Sequence, residues 1–198
     1  YNVTDNIIRA DTTLTLQFPK LSFFFAENQR YLGEWFSLDI GLSQQGIEEA
    51  NSPYYVTTLE NIRPLLKARN EFSHKGTYGH ALLIAGSIGM AGASVLAARA
   101  CLRSGVGLLT VHVPEANRPI IQAAVPEAMA HIDENEHCFA LPVDTERFTA
   151  VAIGPGLGQS EETARALHLQ LSSAQEPLIL DADALNILAE HPDWLPLV

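Results

Sequence analysis

Apolar positions along this chain follow two periods. From Thr13 to Phe18 they alternate with polar ones, putting Leu14, Leu16 and Phe18 on one side, which predicts a half-buried strand ended by Pro19. A second strand is predicted over Trp35–Ile40, reached through the aromatic segment Phe23–Phe25 and a turn-prone stretch, with no crossover-length helix between the two. Farther on the apolar runs become continuous. Ala81–Ala85 reads as a buried strand, Leu108–Val113, Thr149–Ile153 and Leu178–Leu180 read as further apolar strands, and Ala128–Ile132 joins the set. Helical segments stand between them: Ala93–Ser104 closed by Gly105 and Gly107, Asn117–Ala124, Glu161–Leu171 capped by Ser160, and Ala184–Ala189 capped by Asp183. In the first of these, Ala93, Ala97, Ala98 and Ala100 allow close approach to a sheet, Arg99 and Arg103 share the one polar side, and burial over most of the circumference is expected. Strands alternating with helices predict parallel pairing through crossovers, hence an α/β fold.

Each of three strand ends carries a feature suited to a ligand. After the first continuous strand, Gly86, Gly89 and Gly92 form a GxxGxxG loop, distinct from both the P-loop and the GxGxxG dinucleotide loop, and free amides at the following helix start are expected to face an anion. The second loop, Gly154-Pro155-Gly156-Leu157-Gly158, runs into a helix whose first turn holds Glu161 and Glu162, which disfavours a phosphate there and suits a sugar, an amide or a neutral ring. The third end, Asp181-Ala182-Asp183-Ala184-Leu185-Asn186, offers Asp181 to hold Mg2+ through water, take a proton or bind a hydroxyl. In a parallel sheet all three lie on the carboxyl edge, which predicts one nucleotide-sized cleft walled by main chain. Taken singly, each loop also reads as a tight turn without a ligand.

Composition narrows the field. With 47% hydrophobic and 18% charged residues and no run of eighteen apolar ones, the 198-residue chain reads as globular and cytoplasmic. A formal net charge of -11 argues against nucleic-acid and anionic-membrane partners, because either demands a basic footprint. Cys101 and Cys138 make neither a disulfide framework nor a metal pattern, and His131 and His137 read as solvated surface residues, so no metal ligands are assigned. A polar stretch from Ser43 to Ser52 suggests a boundary, giving residues 1–50 as the end of one domain and 51–198 as the first part of another. A short helix capped by Thr58 runs to Leu66, followed by a basic approach, Lys67–Lys75. Opening at Tyr1 without Met, the sequence reads as a piece of a longer protein.

The stretch HKGTYGHALLIAGSIGMAGASVLAARACLRSGVGLLTV, followed by VAIGPGLG and PLILDADALNIL, resembles the ADP-dependent (S)-NAD(P)H-hydrate dehydratase domain of the NAD(P)H-hydrate repair enzymes. The preceding TLTLQFPKLSFFFAENQRYLGEWFSLDIGL resembles the last strands of the NAD(P)H-hydrate epimerase domain fused ahead of it in bifunctional members, a Rossmann-like domain. The resemblance implies a ribokinase-like α/β domain that returns hydrated nicotinamide cofactors to NADH or NADPH, the hydrate hydroxyl being phosphorylated by ADP and expelled as phosphate. It implies ADP and Mg2+ as cofactors, K+ for the epimerase domain, and a homo-oligomer. By motif, Ala93, Gly154 and Gly156 would line the hydrate pocket, Lys75 and Gly76 would shape its entrance, and Asp181 and Asn186 would stand near the phosphates or Mg2+. The family's Gly-Thr-Gly-Asp anion hole with its catalytic Asp is expected beyond Val198, leaving Asp181 as the one catalytic candidate here.

Two other functions stay open on sequence. A ribokinase-like kinase of a vitamin-like alcohol would share the same loops and differ in leaving a stable phosphate ester. A nicotinamide-dependent oxidoreductase would use GSIGMAG as its cofactor loop and Glu115 on a ribose, against which the GxxGxxG spacing counts.

Overall fold

The alternating segments near the start pair with each other. In the computed structural model, which describes residues 6–66 and 68–198, β1 (Thr12–Leu16) and β2 (Glu34–Leu38) run parallel with Thr12 opposite Glu34 and Leu16 opposite Leu38. Tyr1 and Lys67, the starts of two stretches discussed above, lie outside the described residues. The crossover between these strands is built from 3-10 turns at Leu21–Phe24 and Ala26–Asn28 and a short helix, α1 (Gln29–Leu32). Phe23 and Phe24 pack their rings on Trp35 at 5.7 and 6.1 Å, and the Thr13 hydroxyl donates to the Leu32 carbonyl at 2.6 Å. The expected apolar inner side of β1 is reversed: Leu14, Leu16 and Phe18 are exposed, while Thr15 is buried and donates to the Phe18 carbonyl. Beyond β2 come α2 (Gln44–Glu48), capped by Ser43, and α3 (Leu59–Ile62), where the Asn61 side chain accepts the Thr58 N–H. The helix expected to reach Leu66 gives way at Pro64 to a 3-10 turn, Arg63–Leu65. By internal contacts the chain divides into two compact units between Ala68 and Arg69.

In the second unit the continuous apolar runs become one sheet of five parallel strands, β3 (His80–Ile84), β4 (Leu108–Pro114), β5 (Met129–Asp133), β6 (Ala150–Ile153) and β7 (Leu178–Leu180), ordered β5-β4-β3-β6-β7. Between them run α4 (Ala91–Ser104), α5 (Arg118–Ala124) and α6 (Glu161–Ser173), and α7 (Asp183–Glu190) follows β7. Successive side chains of β3 point to opposite faces. Leu83 joins Val111 and Val113 of β4 under α4 and α5, whereas Leu82 and Ile84 join Val151 and Ile153 of β6 under α6 and α7. The result is helix, sheet, helix, with β3 central. α4 is less buried than its composition suggests: Ala91, Ser94 and Ala98 are its buried residues, and Leu96, 71% exposed, shares the open side with Arg99 and Arg103.

The face of β4 and β5 opposite α4 and α5 is polar. His80 Nε2 pairs with the Thr110 hydroxyl at 2.8 Å and packs edge-on against Phe148. Next along, His112 is bonded at Nε2 to Asp133 Oδ2 (3.0 Å) and at Nδ1 to His131 Nδ1 (2.8 Å). His131 is thus exposed, as expected, but tied on one nitrogen rather than freely solvated. The segment after β5 covers this patch with Phe139, Val143 and Phe148, and buried Gln170 of α6 clamps Val143 through both its N–H and its carbonyl.

Two measurements follow from this packing. Leu82→Ala, at a fully buried position, costs about 2–5 kcal/mol in urea unfolding, whereas Leu96→Ser changes it by less than about 0.5 kcal/mol. Burial, with Arg147 nearby, lowers the pKa of His80; burial, then the His112 and Arg147 charges, lowers that of His131 despite Asp133. The fold therefore favours both rings neutral, so this stability is present above the ordinary histidine value of 6.5 and lost as pH falls through the lower folded-state values. The urea midpoint falls on acidification from neutral pH, and a His80→Gln/His131→Gln double variant shows a shallower fall.

Candidate ligand cleft at the carboxyl edge

The chain fills the sheet outward from β3 to β5 and then returns to the other side of β3 to lay down β6 and β7. This makes the gap between the carboxyl ends of β3 and β6 the point where strand order reverses, and crevices form there because the flanking loops depart in opposite directions. The loops 86–90 and 154–158 leave from these two ends, with 181–186 beside them after β7. All three features singled out in the sequence thus lie on one edge.

They are fastened to one another mainly through backbone. Gly154 N–H donates to Ile84 O at 3.2 Å, Gly86 N–H to Pro155 O at 2.8 Å, and Asp181 N–H to Ile153 O at 3.0 Å, so pairing continues past the strand ends. The Ser87 hydroxyl donates to Gly156 O at 2.9 Å, and buried Asn117 donates to Ser87 O at 3.0 Å. Gly156 has φ +65, and a Cβ there would stand 2.8 Å from Ala93 Cβ and 3.1 Å from Met90 O. At Gly154, with φ +136, a Cβ would run into the Asp181 carbonyl oxygen. Glycine is required at both because a side chain would force neighbouring loops apart.

The third loop is strained and bridged. Ala182 has φ 45, a region costly for any residue with a Cβ. Asp183 beside it accepts Gly158 N–H at 2.9 Å, the Gln159 amide at 3.0 Å and the Asn186 amide at 3.3 Å. It is not the helix cap expected of it: α7 starts at Asp183 itself, Ala182 stands at the cap position, and the carboxylate ties the start of α7 to the second glycine loop instead. Burial raises its pKa, but these donors outweigh burial and hold the carboxyl below its ordinary value.

Of the residues expected to act together, Ala93, Gly156 and Gly154 come together, and Asp181 adjoins them through its backbone with its side chain exposed. Asn186 is exposed and its amide is engaged with Asp183. Lys75 and Gly76 are elsewhere. Their 3-10 turn, Lys75–Tyr78, precedes β3, and the Lys75 carbonyl lies against Gly107 ahead of β4, so this turn supports the amino edge and shapes no entrance to the cleft. Nor is the first loop a row of free amides: Gly86, Ile88, Met90 and Ala93 donate to Pro155, His137, Ser87 and Met90 carbonyls. Ser87 and Asn117 were not singled out from sequence; a small polar residue inside a glycine loop is the only signal the first carries. Among the described residues no group of three or more His, Cys, Asp or Glu side chains could hold a metal ion. Asp181 fits Mg2+ as a single carboxylate, in keeping with an ion that takes one or two carboxylates from protein and the rest from phosphates and water.

The fit at Gly156 is testable by unfolding. Gly156→Ala costs about 1–3 kcal/mol, and adding Ala93→Gly recovers part of that loss, because it removes the Cβ contact and leaves the φ strain. Full additivity of the two changes contradicts the contact.

A family model described as NAD(P)H-hydrate dehydratase matches residues 81–197. The bifunctional NAD(P)H-hydrate repair enzyme Nnr of Coxiella burnetii is 35% identical over 197 residues, covering 98% of this chain and 40% of that protein. The ADP-dependent (S)-NAD(P)H-hydrate dehydratase of Bacillus subtilis is 42% identical over 135 residues, 68% of this chain and 48% of that one. A crystal structure of the Bacillus subtilis ADP/ATP-dependent NAD(P)H-hydrate dehydratase, co-crystallised with ATP and Mg2+, has a TM-score of 0.57 at 41% identity, covering 65% of this chain and 46% of its own. A ribokinase-like superfamily protein from Enterococcus faecalis has a TM-score of 0.55 at 30% identity, with 63% and 44% covered, so the second unit shares the ribokinase-like fold. The chain spans less than half the length of these relatives. By a match that takes in more than half of its residues, the chain belongs to the NAD(P)H-hydrate dehydratase family.

Proposed function

We propose that the second unit carries the hydrate-binding part of an ADP-dependent (S)-NAD(P)H-hydrate dehydratase, and that residues 1–50 close an epimerase-like domain ahead of it. The observation that supports this most is the close approach of Gly156 to the Ala93 methyl and the Met90 carbonyl at the point where strand order reverses. A flat dihydropyridine-type ring needs such a surface, because any side chain between the loops would occupy its place. In the reaction a phosphoryl group passes from ADP to the ring hydroxyl, which gives up its proton, and the C–O bond then breaks as the neighbouring ring carbon loses a proton, so that AMP, phosphate and NAD(P)H result. Phosphorylation converts a poor leaving group into a good one.

The residues of this chain act on the substrate side. Ala93, Gly154 and Gly156 receive the ring, Ser87 and Asn117 fix the loop that carries it, and loop closure by Asp183 keeps water from one flank. Asp181 and Asn186 face the phosphates, where Asp181 would share Mg2+ with the nucleotide. The bound ion supplies neutralisation of developing phosphate charge. K+ belongs to the epimerase part of the proposal, and a cytoplasmic homo-oligomer completes it.

No Gly-Thr-Gly-Asp segment occurs among the 198 residues, so binding and turnover separate in the assay. Incubated with (S)-NADPH hydrate, ADP and Mg2+, the 198-residue chain is expected to bind the hydrate in calorimetry without NADPH absorbance appearing at enzyme-like rates. Gly156→Val abolishes that binding. Turnover by the chain alone, or undiminished binding by the valine variant, overturns the assignment.

A further inference from the structure

The Asp133 carboxylate lies inside the fold and its contacts lead to the cleft. Its side chain is 0% exposed, yet it sits on β5, two strands from the gap where the glycine loops meet. Oδ2 accepts from His112 Nε2 at 3.0 Å, Ala140 N–H at 2.9 Å and Leu141 N–H at 3.3 Å, and Oδ1 accepts from Asn135 N–H at 2.8 Å. A turn over 135–141 is thereby closed around one carboxylate. Asn135 repeats the device on a smaller scale, its side-chain oxygen accepting His137 N–H and Cys138 N–H.

The outer side of this turn offers three carbonyls to two strand-end loops. Asn135 O accepts Glu115 N–H at 3.3 Å and Glu136 O accepts Ala116 N–H at 3.2 Å, both in the segment after β4 that carries Asn117. His137 O accepts Ile88 N–H at 2.7 Å, inside the first glycine loop. Asn117 in turn holds Ser87, and Ser87 holds Gly156. A continuous series of hydrogen bonds therefore joins Asp133 to both walls of the cleft.

We propose that Asp133 is a positioning residue for the cleft, setting the first glycine loop through the 135–141 turn and fixing the tautomer of His112 as it does so. The inference rests on the reading of the cleft as the hydrate site. Burial acts to raise the Asp133 pKa, but the bonds from His112, Ala140, Asn135 and Leu141 outweigh it, so the group stays a carboxylate and only accepts. His112 Nε2 must then carry hydrogen. With a neutral ring its Nδ1 accepts from His131 Nδ1, which fixes the tautomer of both imidazoles. An asparagine at 133 would keep its amide oxygen where three donors meet and turn its NH2 toward the Asn135 N–H, so His112 Nε2 would still donate while the bond that closes the turn at Asn135 is lost.

Three readouts test the proposal. In hydrogen exchange on the 198-residue chain, Asp133→Ala speeds exchange of the Ile88, Glu115 and Ala116 amides by about tenfold or more while β6 and α6 stay protected, as expected for loss of bonds to a charged acceptor. In 15N spectra of the unsubstituted chain, His112 carries hydrogen on Nε2, a readout that needs no variant to fold. Affinity for (S)-NADPH hydrate falls about tenfold in the alanine variant. Unchanged exchange at Ile88, exchange that rises equally throughout both core clusters, or a His112 ring without hydrogen on Nε2 overturns the inference. A wild-type chain that binds no hydrate instead overturns the reading of the cleft, and leaves the exchange and tautomer results to judge Asp133.

Discussion

Main chain touching main chain at the carboxyl edge is the constraint on which this structure depends. Gly156 can take φ +65 beneath Ala93, and Gly154 can lie against the Asp181 carbonyl, only because neither carries a Cβ. The sheet order then follows a need: β6 must return beside β3, because no other neighbour brings the loop 154–158 against the loop 86–90. The two apolar clusters hold that order. Leu82 and Ile84 commit one face of β3 to β6, α6 and α7, and Leu83 commits the other to β4, α4 and α5.

Strain at this edge is offset locally. Ala182 in the left-handed region costs about 1–3 kcal/mol, and hydrogen bonds to a charged acceptor contribute about 1.5–3 kcal/mol each. The Asp183 carboxylate next to it receives three donors, two of them from the neighbouring loop. Even discounted for partial exposure, these bonds are of the right size to keep Ala182 where it is. A loop held this way presents fixed carbonyls and a bare surface, as a site for a rigid ring requires. In the first glycine loop the amides of Gly86, Ile88, Met90 and Ala93 are likewise consumed in holding the loops together.

Much of this was legible in the sequence, for physical reasons that can be named. Continuous apolar runs meant strands, and each appears within a residue or two of its expected bounds, with Ile179 of the edge strand β7 left exposed; the α/β class and the common edge followed. What failed were inferences that needed partners. Leu14 and Leu16 alternate like core residues, but within a two-stranded pair the side carrying Thr13 and Thr15 is the covered one. α4 has an apolar composition, yet Leu96 points outward because only one side of the helix meets the sheet. Lys75 stands before its strand and so at the edge away from the cleft, as chain direction alone implies; the entrance role assigned to it came only from the resemblance of its motif. The pairing of His112 with Asp133 joins residues on neighbouring strands, and sequence spacing carries no mark of it.

The central claim is that one edge of the sheet, and the bare backbone there, receives a nicotinamide-type ring. Backbone chemical-shift mapping of the chain during titration with (S)-NADPH hydrate tests it most directly. The account predicts shifts concentrated in residues 86–93, 154–158 and 181–186. Shifts centred on 75–79 and 105–108 at the amino edge, or none in the two glycine loops, would contradict it.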